Sequence, residues 1–227
     1  MPPSPAPCPG AFAVLTALAA LAALAAPSAI TAAPTDPAPT GTAFDYDGWT
    51  PYSTASEPAA GGVAVTVMVP ASFAAAPRTA PGVLKEFLRP DPSGGGASYL
   101  SVTVASEGLV PGVENRPTRL FRGRNGEWDQ LILESFWKGL SDAIPGVSAS
   151  RTFFFKGYPA ADLSVSQAVR SGDRPARLEL DLRLALYGDA LIKLECGDLS
   201  EDPSKAHERT LEEVCRPFFD SLAFGDG

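Results

Sequence analysis

The segment RLELDLRLALY, residues 177–187, alternates leucine with mostly charged side chains. Successive side chains of a β-strand point to opposite faces, so this spacing predicts a strand with one dry and one solvated face. The leucines of the dry face are Leu178, Leu180, Leu182, Leu184 and Leu186, and the charged residues of the solvated face are Arg177, Glu179, Asp181 and Arg183. This division is typical of an antiparallel sheet.

The same two-residue period predicts further strands along the chain, separated by turns that contain glycine. They cover residues 63–70, 83–89, 98–105, 148–155, 156–169 and 190–196. In the last of these, Ile192 and Leu194 alternate with Lys193 and Glu195, which repeats the dry and wet division. The order of the strands in the sheet does not follow from the pattern.

Two amphipathic helices complete the predicted fold. The first is capped by Asn125 and runs at helical spacing to Ala143, where Pro145 and Gly146 end it. The second begins at Asp202, and Pro217 is expected to kink or break it. The fold class predicted is α+β, with a largely antiparallel sheet of about six to seven strands and two principal helices.

The amino-terminal region indicates export. Residues 1–35 contain no charged side chain, and residues 11–26 form an apolar run followed by small residues. This is typical of a signal peptide, here residues 1–33 with cleavage between about 26 and 33, although Lys and Arg are missing before the run. A membrane anchor is the weaker interpretation, because about 20 strongly apolar residues are needed to span a bilayer. The mature chain is expected to be secreted or periplasmic, with no transmembrane helix.

Residues 34–62 are rich in Pro, Ala, Thr and Gly, which predicts a tether before a folded domain at residues 63–225. The aromatic stretch FDYDGWTPY, residues 44–52, interrupts this composition and is a candidate extra edge segment of the domain. Its acids Asp45 and Asp47 lack the other ligands of a calcium loop, so we interpret the stretch as a turn.

Two cysteines enclose the segment CGDLSEDPSKAHERTLEEVC, residues 196–215. Cys196 continues the face of Ile192 and Leu194, and Cys215 lies on the apolar stripe of the last helix, so the two can meet. In an oxidising compartment they predict a disulfide worth about 3 kcal/mol, with two buried thiols as the alternative. His207 has no second histidine near it, so we predict no metal site here.

The net charge of −8 opposes a general role in binding nucleic acid or anionic lipid. The sequence contains no G-x-S-x-G, no phosphate-binding loop and no G-x-G-x-x-G motif. We therefore predict no catalytic residue and no cofactor, and a chain that is not an enzyme. A secreted hydrolase with an unrecognised carboxylate site remains the alternative.

The segment ENRPTRLFRGRNGEW, residues 114–128 and called here the arginine loop, concentrates basic residues in an acidic protein. Arginine favours carboxylate and phosphate partners, and long loops often carry function. A solvated loop that pairs with nearby acids is the plainer interpretation. If a protein partner binds, the candidate contact residues are Arg116, Arg119, Leu120, Phe121, Arg122 and Arg124.

Three short motifs support a family resemblance: VPASF at residues 69–73, FKGYPA at 155–160 and FFDSLAF at 218–224. Together with the order of the elements they resemble the Mog1/PsbP-like fold, which includes exported DcrB-like and LpqN-like bacterial proteins. Members are mostly accessory or binding modules, among them photosystem subunits, a small-GTPase partner and chaperones for apolar segments of secretion effectors. The charged strand face and the predicted disulfide depart from the family pattern.

The resemblance implies an exported, non-enzymatic accessory or binding protein of the cell envelope, with a protein partner and no nucleic acid. A chaperone-like adaptor for apolar segments is a further alternative, and it predicts an exposed apolar groove.

Overall fold

The structure is a computed structural model that describes residues 44–77, 82–91, 96–105, 121–171, 173–201 and 211–225. The predicted signal peptide and the first part of the predicted tether lie outside these residues. The strands are β1 (Trp49–Ser53), β2 (Val65–Pro70), β3 (Ala74–Ala75), β4 (Lys85–Pro90), β5 (Gly96–Ala105), β6 (Val147–Phe155), β7 (Tyr158–Ser171), β8 (Arg174–Tyr187), β9 (Ala190–Ser200) and β10 (Ala223–Phe224). The helices are α1 (Gln130–Ala143) and α2 (Arg216–Asp220), with a π-helical turn at Leu211–Cys215 before α2.

The strands form two antiparallel sheets. Seven strands lie in the order β3-β4-β5-β9-β8-β7-β6, and three others in the order β1-β2-β10. Long hairpins join neighbours in the larger sheet, since β6 to β9 follow one another in both sequence and space. The predicted α+β class, the antiparallel pairing and the two helices are confirmed, whereas the separate small sheet was not predicted.

The leucines of β8 pack against α1, and the second half of the opposite face of β8 is also buried. The register of β8 and β9 places Leu182 opposite Glu195 and Leu184 opposite Lys193, so these side chains share one face. On the other face Arg183 is only 5% exposed. The predicted solvated face is therefore confirmed at Arg177, which is exposed, and wrong at Asp181 and Arg183, which are buried where α2 covers the sheet.

Each face of the larger sheet contributes to its own apolar core. One core joins the leucines of β8 to Leu133 and Trp137 of α1. The other joins the valines of β2 and the aromatic residues of α2 to the opposite face of β5 and β9. The final helix therefore covers the face that carries Ile192 and Leu194, as predicted, but this is not the face of the β8 leucines.

The folded domain begins earlier than residue 63. All of β1 pairs with β2, and Thr54, which follows β1, is buried and donates a hydrogen bond to the carbonyl oxygen of Val63 at 2.7 Å. The hydroxyl of Tyr46 donates to the carbonyl oxygen of Pro217 at 2.9 Å, which ties the first described residues to α2. The assignment of residues 44–62 to a tether is wrong, while the expected docking of the aromatic stretch is confirmed.

Both helices differ from prediction at their ends. Asp129, not Asn125, caps α1, since its carboxylate accepts the amide hydrogen of Ile132 at 3.2 Å. Asn125 instead bonds to Glu127 within a preceding turn. The predicted start of the last helix at Asp202 lies outside the described residues. Pro217 stands in the first turn of α2, where the chain changes from π-helical to α-helical geometry while Cys215 keeps helical backbone angles, so the helix is not broken at this point. None of the helices in the described ranges is long and apolar enough to cross a membrane.

Candidate functional site

The predicted disulfide is present. Cys196 of β9 is bonded to Cys215 of the π-helical turn, with a Cα–Cα distance of 5.3 Å, and both residues are fully buried. The bond joins the carboxyl-terminal segment to the centre of the larger sheet. Since the two sulfur atoms are bonded to each other, they are not available as metal ligands with His207, which lies outside the described residues.

Arg183 is the charged centre of the face covered by α2. Its guanidinium donates two hydrogen bonds to Asp162, at 2.8 and 3.0 Å, and one to Asp220 of α2 at 2.8 Å. Burial alone lowers the pKa of Arg183, but the hydrogen bonds and charges of the two aspartates outweigh this effect and raise it. The guanidinium also lies 4.8 to 5.4 Å from three ring centroids, those of Phe153, Phe155 and Phe219. Each of its three nitrogen atoms donates to an aspartate inside the protein, which makes Arg183 a structural residue.

The described part of the arginine loop is anchored to α1. Phe121 is buried and its ring centroid lies 4.8 Å from that of Phe136. The Arg122 guanidinium lies 4.0 Å above the Trp128 ring and donates to the carbonyl oxygen of Gly126 at 2.8 Å. Phe121 is thus a core residue and not a free contact.

Of the other predicted contact residues, Arg124 is exposed, and Arg116, Arg119 and Leu120 lie outside the described residues. The first turn of α1, immediately after the loop, exposes Leu131 and Ile132, which helical spacing assigns to the buried stripe of the helix together with Trp128, Phe136 and Leu140. Leu131 is 68% exposed and Ile132 is 36% exposed. Leu131 was assigned to the buried stripe of α1, and that assignment is wrong, because Leu133 and Trp137 face the sheet instead.

A row of polar side chains crosses the α1-facing side of the larger sheet. The register places Glu86 of β4 opposite Ser101 of β5, and Ser101 opposite Glu195 of β9. We call these three residues the polar row. Glu86 is 3% exposed and Glu195 is 4% exposed, so two carboxylates lie almost out of water.

The two carboxylates of the polar row have different partners. Glu195 accepts the Ser101 hydroxyl at 2.5 Å and the ammonium group of Lys193 at 2.8 Å, so its charge is balanced. The Oε2 atom of Glu86 is buried and has no hydrogen-bond partner among the described residues. Burial, followed by the charge of Glu195, raises the pKa of Glu86 above its ordinary value.

Tyr99 adds a second unpartnered oxygen to this side of the sheet. It is 6% exposed, and its hydroxyl has no hydrogen-bond partner among the described residues. Its ring lies over β9, since a Cβ on Gly197 would be 2.8 Å from Cε1 of Tyr99. Burial, then the charges of Glu195, Glu86 and Asp198, raises the pKa of Tyr99 well above its ordinary value.

The polar row is not apparent from the sequence, because its two glutamates are far apart in the chain. One local signal could have found Glu86: it lies between Leu84 and Leu88 on the same face of a predicted strand, at a position where an apolar residue is expected. In the described ranges, no group of three or more His, Cys, Asp or Glu residues is placed to hold a metal ion.

Comparison with known proteins gives no family. No family model matches the chain and no curated protein matches it. Among solved structures, LpqN of Mycobacterium tuberculosis, described as involved in cell envelope biogenesis, is 10% identical with a TM-score of 0.41, over 71% of this chain and 83% of that one. A protein of Bacteroides thetaiotaomicron is 11% identical with a TM-score of 0.37, over 71% of this chain and 45% of that one, so the match spans less than half of its length. Similarities this weak carry no function to the chain.

Proposed function

We propose that this protein is an exported accessory protein of the cell envelope that binds a protein partner and catalyses no reaction. The observation that carries the proposal is the surface formed by Arg122, Arg124, Leu131 and Ile132, which we call the α1-entry surface. In the sequence, two exposed arginines precede two exposed apolar side chains, with the exposed Glu127 between them. Export is supported by the leader-like first 33 residues and by the buried disulfide, since disulfides persist mainly outside the cytosol.

The α1-entry surface is rigid at its base. Arg122 is held by the Trp128 ring and by a backbone carbonyl, and Asp129 caps the helix that carries Leu131. A preordered surface loses less conformational entropy on binding than a flexible one does. Arginine is enriched among the residues that dominate binding energy at interfaces, whose cores are apolar.

The charges indicate the chemistry of the partner. The chain as a whole carries a net charge of −8, so exposed arginines beside apolar side chains stand out from an acidic background. A partner segment that combines carboxylates with apolar side chains would match this surface. Arg116 and Arg119 precede the surface in sequence and are proposed to extend it.

The two alternatives from the sequence receive less support. A chaperone-like adaptor predicts an exposed apolar groove, but both faces of the larger sheet pack into cores in the part of the chain that the structure describes. A carboxylate hydrolase needs acids that reach a substrate, whereas Glu86 and Glu195 are at most 4% exposed.

The test uses a photo-crosslinking amino acid at Leu131, with the same amino acid at the exposed Asp173 as the matched control. The protein is expressed in its own envelope, irradiated and examined for covalent adducts. We expect a discrete adduct from position 131 and none of that mass from position 173. In the protein that carries the crosslinker at position 131, Arg124→Glu should reduce the yield of the adduct at least tenfold, while Arg170→Glu should leave it unchanged.

Two results would contradict the proposal. Equal adduct patterns from positions 131 and 173 would indicate nonspecific contact. An adduct that survives Arg124→Glu at full yield would show that the arginines do not contribute to recognition.

A further inference from the structure

One edge of the larger sheet differs from the other sheet edges that the structure describes. β3 and β10 are two residues long, and β1 contains Pro51, which has no amide hydrogen to donate to a further strand. β6 is nine residues long, contains no proline and carries one charged side chain, that of Arg151. No described strand pairs with its outer side. An edge of this kind is a template for pairing with a strand of another chain.

The side chains of β6 are open to solvent on both faces of the sheet. Residues 148–152 are all exposed, although successive side chains of a strand point to opposite faces. Phe154 is 48% exposed, which is unusual for a large apolar side chain in a strand. In the part of the chain that the structure describes, neither face of β6 is therefore covered at this edge.

The turn after β6 determines which of its amides point away from β7. Lys156 and Gly157 form a two-residue turn with φ angles of 50° and 85°, and Phe155 lies opposite Tyr158. The residues that flank such a turn exchange backbone hydrogen bonds, and bonded pairs then alternate with non-bonded pairs along an antiparallel ladder. Pro159, which has no amide hydrogen, falls at a non-bonded position, in agreement with this alternation. The residues whose backbone groups point outward are then Ser150, Thr152 and Phe154.

The regular part of β6 can pair with the same segment of a second copy. A bulge lies between Val147 and Ala149, so the regular part is the segment 149–155, and Thr152 is its midpoint. A two-fold axis at Thr152 therefore pairs the whole segment, antiparallel, with its equivalent. In this register the outward backbone groups of one copy face those of the other.

The side chains favour the axis at Thr152 over neighbouring registers. Thr152 lies opposite Thr152 of the second copy, a pair that stabilises antiparallel strands. Arg151 lies opposite Phe153 of the second copy, which places a cation beside an aromatic ring. An axis at Arg151 would instead place two arginines directly opposite each other, and like charges at that spacing are destabilising. Axes at Ser150 or Phe153 would pair shorter segments, because the bulge or the turn is reached sooner.

We propose that β6 pairs with β6 of a second copy of this chain about a two-fold axis at Thr152, which joins two seven-stranded sheets into one. The outward backbone groups supply about six hydrogen bonds between the copies, and Phe154 loses part of its exposure. Each copy has a net charge of −8, but charges more than about 8 Å apart are largely screened at physiological ionic strength. The contact uses no residue of the α1-entry surface, so either proposal can fail alone.

The test measures the mass of the purified protein by sedimentation equilibrium in 0.15 M NaCl at concentrations of about 1 to 200 µM. The mean mass should rise from that of one chain to that of two with a Kd of about 1–100 µM, since pairing through one strand buries less area than a standard interface. Thr152→Pro removes an outward amide, which an edge strand tolerates, and should leave the protein monomeric. The matched control Thr152→Val keeps the amide and the branched side chain, so its Kd should stay within about threefold of the wild-type value.

Two charged variants test the axis itself. Thr152→Lys and Thr152→Glu each place like charges opposite each other, so each variant alone should dimerise at least about tenfold more weakly than the wild type. An equal mixture of the two places opposite charges across the axis and should recover dimers. Thr152 is exposed, so both variants should fold, and they decide the question if Thr152→Pro does not fold.

Three results would overturn the proposal. A wild type that stays monomeric at about 200 µM would mean that β6 does not pair with a second copy, whether another segment of this chain or a different protein covers it. Dimers of wild-type affinity in folded Thr152→Pro or in the charged variants would place the contact on another face. A mixture of the charged variants that is no more dimeric than either variant alone would exclude the axis at Thr152.

Discussion

Replacing Arg183 by alanine should be among the most destabilising single changes in the domain. The substitution removes three hydrogen bonds of 2.8 to 3.0 Å, two to Asp162 and one to Asp220, and the contacts of the guanidinium with three aromatic rings. Removing one member of a buried ion pair typically costs about 3–5 kcal/mol, mainly because the partner charge is left unpaired.

The partners of Arg183 place the expected loss at the lower end of that range. Asp220 is 53% exposed and can be rehydrated, while Asp162 is 26% exposed and keeps Arg151, whose guanidinium lies 3.1 Å away. We therefore expect Arg183→Ala to lower the free energy of unfolding by about 3 kcal/mol. Asp162→Asn, which disrupts the two-point contact, should cost about 2 kcal/mol, and Asp220→Asn at most about 1 kcal/mol.

Urea unfolding of the oxidised protein, followed by tryptophan fluorescence, measures these differences if the slope with denaturant stays constant across the variants. The order of the three losses is the decisive result. An Arg183→Ala loss below about 1 kcal/mol, or equal losses for the two aspartate variants, would refute the assignment of Arg183 as the centre of this face.

Three further changes test other parts of the structure. Glu86→Gln should stabilise the protein at pH 7, because the raised pKa of Glu86 means that ionisation of this carboxyl opposes folding. The gain in stability should disappear below the ordinary Glu pKa of 4.5, so unfolding is measured at pH 4 and at pH 7. An equal gain at both pH values would contradict this expectation. Replacing Cys196 and Cys215 together by serine should lower the free energy of unfolding by about 3 kcal/mol, since the disulfide spans a sequence separation of 19. The Tm of this variant should not change with reductant, and a Tm that still falls with reductant would contradict the expectation. Gly197→Ala should lower the free energy of unfolding by about 1–3 kcal/mol, because its Cβ would lie 2.8 Å from an aromatic carbon and 2.9 Å from a backbone carbonyl oxygen. The control Gly139→Ala, whose Cβ would have nothing within 4 Å, should be neutral or stabilising in the same unfolding experiment.

The sequence predicted the strands well because their period is local. The leucine alternation in β8 depends only on neighbouring residues, and β8 indeed spans Arg174–Tyr187. The elements that cover each face depend on how the strands pair, and the spacing of residues within one strand does not specify that pairing. Arg183 looked solvated by its charge, but its face is buried under α2, and the aspartates that compensate it come from β7 and from the end of that helix.

The disulfide is a contact that the sequence could predict, and the polar row is one that it could not. The disulfide could be predicted because both cysteines lie on apolar faces of elements close in sequence. Glu86 and Glu195 belong to strands 109 positions apart and meet only because β5 lies between β4 and β9, with Ser101 between them. The alternation places Glu195 on the wet face of its strand and Glu86 between two leucines on the apolar face of another, so no single strand indicates that the two meet.

The alternation of side chains along β8 makes it possible to separate effects on stability from effects on binding. The face that carries Arg183 and Cys196 holds the contacts that attach the carboxyl-terminal segment: the disulfide and the Asp220 hydrogen bond. The face that carries Leu182 and Leu184 packs against α1, and the polar row lies on that same side. Because adjacent residues of β8 point to opposite sides, changes at position 183 report on attachment of α2, whereas changes at position 182 report on the core beneath α1. Loss of partner binding through a change at 182 but not through an equally destabilising change at 183 would therefore reflect the geometry of α1 and not global stability.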